Sequence, residues 1–201
     1  DLLESQNSVR DLGIYLTKDL KWSLHLKTIT NKANTRLFLL FKSIQSCDSK
    51  FLVKMYYAYI RPLLDYGSPI FNSSSKQNCL LIEKVQKRFT RFVFSRCYKY
   101  VYNPMPPYLE RLKILGMESL ESRRLKTDLF FFQKLLTNEI HIESSLPIFC
   151  DIFTTRTNPR GIYPIIGSKN IRSLVRTAKL YLKLPLYIVN LPVSSFINAV
   201  K

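Results

Sequence analysis

Residues 76–97 read Lys76-Gln-Asn-Cys-Leu-Leu81-Ile-Glu83-Lys84-Val85-Gln86-Lys87-Arg88-Phe89-Thr90-Arg91-Phe92-Val-Phe94-Ser-Arg96-Cys97. Leu81, Val85, Phe89 and Phe92 recur at steps of three and four, the period of one helical face, and no Gly or Pro interrupts them. The stretch therefore predicts a long amphipathic helix with those four side chains as its core stripe. The rest of its surface carries Lys84, Lys87, Arg88, Arg91 and Arg96, with Lys99 just beyond, against the single acid Glu83. No other part of the chain is so densely positive, and cations at helical spacing are what a phosphate backbone recruits.

The same period continues on both sides. Leu26, Ile29, Ala33, Leu37, Leu40 and Ile44 mark a helix from a Ser23 cap to about Ser46, whose other face bears Lys27, Lys32, Arg36 and Lys42. Asp48 or Ser49 is a good N-cap for a helix over Lys50–Tyr66, rich in Phe51, Tyr56, Tyr57 and Tyr59, which Pro62 should kink or interrupt. Gly67-Ser68-Pro69 ends it, and Asn72-Ser73-Ser74-Ser75 makes a polar loop that supplies the next cap. Ahead of these helices, Val9, Leu12, Ile14 and Leu16 are spaced mostly by two, as in a strand pair, with Thr17-Lys18-Asp19 as a polar turn. Behind them, Asn103-Pro104-Met105-Pro106-Pro107 breaks the chain. A short helix (Tyr108–Ile114) follows, stopped by Gly116, then a longer one from about Ser119 to Leu136 and a further one over Asn170–Leu182. The expected fold class is mainly α: a short N-terminal β-hairpin over 1–22, a thumb-like helical bundle over 23–102, and a smaller helical extension with a basic tail over 103–201.

Composition limits the function. The 201 residues carry a formal charge of +17, with 46% hydrophobic residues, enough for a real core, so this is a folded domain in need of an acidic partner. Nucleic acid is the commonest such partner and an anionic membrane the second. After Asp151 no acid occurs, while Arg156, Arg160, Lys169, Arg172, Arg176, Lys179, Lys183 and Lys201 do. The longest uncharged stretch, Leu184–Val200, is broken by Pro185 and Pro192 and makes a poor membrane helix, so the chain reads as soluble and intracellular. Cys47, Cys79, Cys97 and Cys150 form no CxxC pair and only His25 and His141 accompany them, which disfavours zinc and suggests reduced, largely buried thiols.

No self-contained active site emerges. Two-metal phosphoryl transfer wants converging carboxylates, and no Asp-Asp step occurs. With five glycines there is no P-loop or GxGxxG run, and neither histidine has a nucleophile at a recognisable spacing. Phe89 and Phe92 read as core, and the arginines beside them as phosphate contacts.

Several stretches bring a family to mind. Val9-Arg-Asp-Leu12-Gly13-Ile-Tyr-Leu16-Thr17-Lys-Asp19-Leu20-Lys-Trp22-Ser-Leu-His25 resembles the end-of-palm hairpin and thumb approach of non-LTR (LINE-type, jockey-, CR1- and RTE-like) retrotransposon reverse transcriptases, with Thr17 where that family usually has Asp. Tyr56-Tyr-Ala-Tyr-Ile-Arg61-Pro62-Leu-Leu-Asp65-Tyr66-Gly67-Ser68, Leu81-Ile-Glu83-Lys-Val-Gln86-Lys-Arg88-Phe89-Thr90-Arg91 and the run Tyr108–Leu129 are similar to successive elements of the same family, as is Tyr181-Leu-Lys-Leu184-Pro185 near the end. The matches run in order over nearly the whole chain, strongest at 81–91 and 108–129.

The resemblance implies a C-terminal portion of an RNA-directed DNA polymerase. Its fingers and catalytic aspartates, which hold Mg²⁺ in the parent, would lie upstream of Asp1, so no cofactor and no metal ligand are assigned here. Leu12 and Gly13 would be primer-grip-like. The thumb would hold RNA, an RNA–DNA hybrid or DNA through Lys84, Lys87, Arg88, Arg91 and Arg96, with Arg123, Arg124, Arg172 and Arg176 behind them; no membrane is expected, and the parent element would act in the nucleus. Arg124, beside Leu125, has an alternative reading as a buried ion-pair partner of Glu121 or Asp128. Alternatives for the chain as a whole are an intact polymerase continuing upstream, a relic of a degenerate element copy, and a helical interaction module without a nucleic-acid role.

Overall fold

The computed structural model describes residues 6–71, 76–99, 101–137, 139–140, 149–151, 162–164 and 172–200, without the side chains of 76, 149–151, 162–164, 172–176, 194 and 197. The chain forms two compact units, Asp1–Ser122 and Arg123–Lys201. The division therefore falls after Ser122, not at the Pro-rich joint near residue 103. Hydrophobic burial explains the difference, because Leu112, Met117 and Leu120, all beyond the joint, are buried in one cluster with Val85 and Phe89.

The first unit opens with β1 (Ser8–Asp11) and β2 (Ile14–Thr17), an antiparallel hairpin in which Val9 faces Leu16 and Arg10 faces Tyr15. Leu12 (φ 44°) and Gly13 (φ 83°) make its two-residue turn, both in the left-handed region, the twist that suits the flanking strands. Glycine adopts that region freely; a leucine does so at a cost. The Tyr66 hydroxyl donates to the Leu12 carbonyl at 2.9 Å, tying the turn to the helices. A second turn is closed by Thr17, whose hydroxyl donates to Asp19 at 2.6 Å and accepts the Lys21 N–H at 3.2 Å.

Helices follow: α1 (Ser23–Ser43), α2 (Ser49–Tyr59), α3 (Arg61–Asp65), α4 (Ser68–Phe71), α5 (Lys76–Cys97) and α6 (Tyr108–Ile114). The expected stripe of α1 is buried from Leu26 through Leu40, with Ile44 half-buried at its end. Ser23 is not its cap: Trp22 holds that position without a side-chain bond. Asp48 does cap α2, accepting the Lys50 N–H at 2.8 Å. The helix expected over Lys50–Tyr66 breaks at Ile60, because Pro62 lacks the N–H that would continue it and instead opens α3. Gly67 (φ +69°) then turns the chain into α4, a short helix that periodicity does not reveal. Gly116 (φ +61°) ends α6, where the Met117 N–H reaches back to the Leu112 carbonyl at 2.9 Å and the Gly116 N–H to that of Lys113 at 3.1 Å.

The last helix of the first stretch, α7 (Leu120–Leu136), begins in the first unit and supplies Leu129 and Phe132 to the second. There they are buried with Ala178 and Tyr181 of α8 (Arg172–Tyr181) and with Phe196. A two-stranded pair, β3 (Phe149–Asp151) with β4 (Ile162–Pro164), and two short helices, α9 (Leu186–Val189) and α10 (Val193–Ala199), also belong to this unit. Neither the strands nor these last helices are visible in the periodicity; Pro185 and Pro192, which read as breakers, stand at the N-caps of α9 and α10. The fold is mainly helical behind an N-terminal hairpin, as expected. The serine-rich loop 72–75 lies outside the described residues.

Candidate nucleic-acid interface

The outward face of α5 holds the positive patch. At about 100° per residue, Lys84, Lys87, Arg88 and Arg91 fall within an arc of roughly 100°. Lys84, Arg88 and Arg91 are exposed and Lys87 half-buried. The residue types opposite them explain why they point out: Ile82, Val85, Phe89 and Val93 are fully buried, so the helix has one orientation. Beside it lies α1, which contains no acidic residue at all and exposes Lys27, Lys32, Arg36 and Lys42. The two helices run in the same direction, since Arg88 donates to the Asn34 side chain at 2.9 Å while Phe41 lies against Phe92 further along both.

The only acid in α5, Glu83, faces inward at 8% exposure. Its carboxylate accepts the N–H groups of Leu120 at 3.3 Å and Glu121 at 3.2 Å, and the hydroxyl of Tyr108. The Ser119 hydroxyl oxygen accepts the Ser122 N–H at 3.1 Å. Three of the four N–H groups that a helix start leaves unpaired are thereby satisfied at α7, and a negative charge sits at the positive end of its dipole. Gln86 extends the network, accepting from the Tyr56 hydroxyl at 2.9 Å and donating to the Glu118 carbonyl at 2.7 Å and to the Tyr108 hydroxyl at 3.2 Å. Arg111, buried at 5% exposure, donates to Thr90 at 3.1 Å and to the Pro106 carbonyl at 2.7 Å. Burial and the neighbouring Glu83 carboxylate push the Tyr108 hydroxyl far above its ordinary pKa, so it stays a donor. Burial first, and then the Arg91 charge, lower that of Arg111.

These polar residues of the stretches 81–91 and 108–111 thus divide into two groups. Glu83, Gln86, Thr90, Tyr108 and Arg111 are an internal latch joining α5, α6 and the start of α7. Lys84, Lys87, Arg88 and Arg91 are the face left over.

Other expected site residues fare differently. Arg96 is a structural residue: it donates to the Phe41 carbonyl at 2.7 Å and to the Ile44 carbonyl, and its guanidinium lies 4.8 Å from the Phe41 ring centre. It satisfies the carbonyl end of α1, which accordingly stops at Ser43, short of the expected Ser46. Arg124 is 2% exposed and its terminal nitrogens have no hydrogen-bond acceptor, so it is out of a phosphate's reach. Arg123 is half-buried in α7. The side chains of Arg172 and Arg176 lie outside the described residues. Leu12 stands 81% exposed at the hairpin tip beside Gly13. Phe92, expected in the core, is at the surface at 36% exposure, unlike its buried neighbours Phe89 and Phe94. Cys47 is exposed, against the expectation of buried thiols, while Cys79 and Cys97 are intermediate.

His25 is buried at 1% exposure between Tyr15 and Phe71, accepting the Tyr15 N–H at 3.5 Å on Nδ1. Burial lowers its pKa and holds it neutral. Among the described residues no group of His, Cys, Asp and Glu is arranged to hold a metal ion, and no helix is long and apolar enough to cross a membrane. No family model matches the chain, and no solved structure does. Over 161 residues the chain is 29% identical to an uncharacterized protein of Caenorhabditis elegans, a match that covers 80% of this chain and 77% of that one.

Proposed function

We propose that this chain is the end-of-palm, thumb and trailing portion of a LINE-type retrotransposon reverse transcriptase, and that α5 with α1 grips the backbone of RNA, an RNA–DNA hybrid or DNA. The observation that carries the binding reading is the segregation of charge on these two helices. Their one acid is inside, bonded to backbone N–H groups, and among the described residues every charged side chain they expose is cationic. Such a surface attracts phosphates by charge and makes no distinction among bases. The motif order along the chain favours the polymerase lineage. In this reading the chain catalyses nothing by itself, because the aspartates that hold Mg²⁺ in such polymerases are not in its sequence, and the parent element works in the nucleus.

The test is a fluorescence-anisotropy titration of the chain against hybrid, duplex and single strands over a salt series. Binding should weaken steeply with salt. Replacing Lys84, Lys87, Arg88 and Arg91 by Gln should reduce the log–log salt slope by about 3, at 0.7–0.9 per phosphate contact. A flat response at low salt sinks the nucleic-acid reading; binding to anionic vesicles with none to oligonucleotides replaces it with a membrane one.

A further inference from the structure

Alongside the cationic face, α1 and α5 enclose an open groove of about 640 Å³ lined by Phe38, Phe41, Lys42, Phe92, Ser95 and Arg96. Phe38 is 62% exposed and Phe92 36%, so two large rings, one from each helix, face solvent, and the helical pattern of α5 alone puts the second of them in the core. The groove is braced from beneath. Phe41 meets Phe92 edge-on at 5.1 Å and Phe89 at 6.0 Å, and Arg96 lies over Phe41 while bonded to the α1 carbonyls. Arg96 thus spends its donors on the wall and keeps its charge at the rim. Lys42 is exposed one turn beyond Phe38, and Arg88 one turn before Phe92.

An apolar groove alone names no occupant. Here the surroundings do, because neither helix presents an acid to the groove and each exposed ring has an exposed cation one turn away along its own helix. Flat apolar faces interleaved with cations, and no competing acid, suit a chain that alternates aromatic rings with phosphates. We propose that the Phe38–Phe92 groove is a stacking site for unpaired bases of a single-stranded nucleic acid, with Lys42 and Arg88 taking the flanking phosphates. The proposal rests on the nucleic-acid reading above and adds a strand preference to it: the α5 cations hold backbone of any form, and the groove selects the unpaired overhang.

The experiment uses the whole chain with two labelled probes, a single-stranded oligo(U) and a blunt RNA–DNA hybrid. Phe38→Ala with Phe92→Ala should weaken oligo(U) binding about tenfold or more, the scale of losing one base–ring stack, and change hybrid binding by no more than about twofold. Phe38→Trp should retain oligo(U) affinity, and its emission should be quenched on saturation with oligo(U), beyond any change that Trp22 gives in the wild-type chain. Unchanged melting temperatures show that the variants are folded. An unchanged oligo(U) affinity in the double-alanine variant, or an equal loss on both probes, overturns the stacking site while leaving the cation face standing. Emission that responds to an acidic amphipathic peptide and not to oligo(U) makes the groove a protein site and overturns it too. A wild-type chain that binds neither probe at low salt overturns the underlying reading as well.

Discussion

The Glu83 carboxylate accepts the backbone N–H of Glu121 at 3.2 Å, joining two residues that lie 38 apart in the chain. Glu83→Ala strips the Leu120 and Glu121 N–H groups at the start of α7 of their acceptor and leaves the Tyr108 hydroxyl with no group to donate to. Thermal or urea denaturation should show a loss of about 3 kcal/mol, the scale for buried hydrogen bonds to a charged group. Nucleic-acid affinity of the folded variant should not fall, since a negative charge has been removed beneath the cations. A variant as stable as the wild type refutes the latch.

Tyr56→Phe is a milder cut in the same network. It leaves the Gln86 carbonyl oxygen without the donor it now has at 2.9 Å. About 1 kcal/mol of stability should go, with binding unchanged. A much larger loss in denaturation would mean that the hydroxyl supports the whole network and not one bond.

How much of this was legible in advance follows from which physics each residue obeys. Leu26 to Leu40 in α1, and Val85 with Phe89 in α5, announce themselves because burial repeats with the helix period, whereas Leu81 is only half-buried. Asp48 and Gly116 do so because caps and left-handed turns accept few residue types. The latch was hidden. Glu83 looked like a lone acid on a basic surface, and only the packing of α6 and α7 shows that it faces in. Phe92 sits at the edge of the stripe, where periodicity cannot separate core from rim. Arg96 counted as one more surface cation because its partners, the carbonyls of Phe41 and Ile44, are backbone atoms from a distant helix. Arg124 admits two readings by sequence, a phosphate contact or a buried partner of Glu121 or Asp128, and the fold buries it.

Arg96 and Arg88 should therefore separate in experiment. Arg96→Ala removes the bonds to the end of α1 and the stacking on Phe41, and should cost about 2 kcal/mol by thermal denaturation. Arg88→Ala, whose Asn34 contact is exposed, should leave stability within about 0.5 kcal/mol and lower the salt slope of binding by about 0.7–0.9. Equal effects of both on stability would contradict these separate roles.

Acid should weaken the fold through His25. Its folded pKa lies below 6.5 because the charged form is buried, while in the unfolded chain it keeps the ordinary value. The unfolded state thus binds the proton first as pH drops. Stability from this residue is complete above about pH 6.5 and declines below it, by at most about 1.4 kcal/mol per pH unit. His25→Phe should flatten the denaturation profile between pH 6.5 and the folded pKa; a profile no flatter than that of the wild type excludes His25 as the cause.

At the hairpin tip, Leu12 holds φ at 44°. Leu12→Asn should raise the melting temperature, by relief of about 1 kcal/mol, because Asn tolerates the left-handed region. At Gly67, an added Cβ would stand 3.0 Å from the Ile14 side chain at φ +69°. Gly67→Ala should accordingly lower stability by about 1–2 kcal/mol. A melting temperature that moves the other way in either variant would reject the conformational argument.

The inward placement of Glu83 has a consequence for how this protein can change over time. The letters of α5 that hold α6 and α7 and those proposed to meet a partner lie on different faces of one cylinder, which adjoin where Lys87 lies over the Tyr108 ring at 5.1 Å. Mutation can rewrite the outer letters, exchanging Lys for Arg or moving a charge by a turn, without disturbing α6 or α7. Related sequences should then keep the Glu83–Gln86–Thr90–Tyr108–Arg111 set as a block while the outer positions drift in identity and hold only their sign.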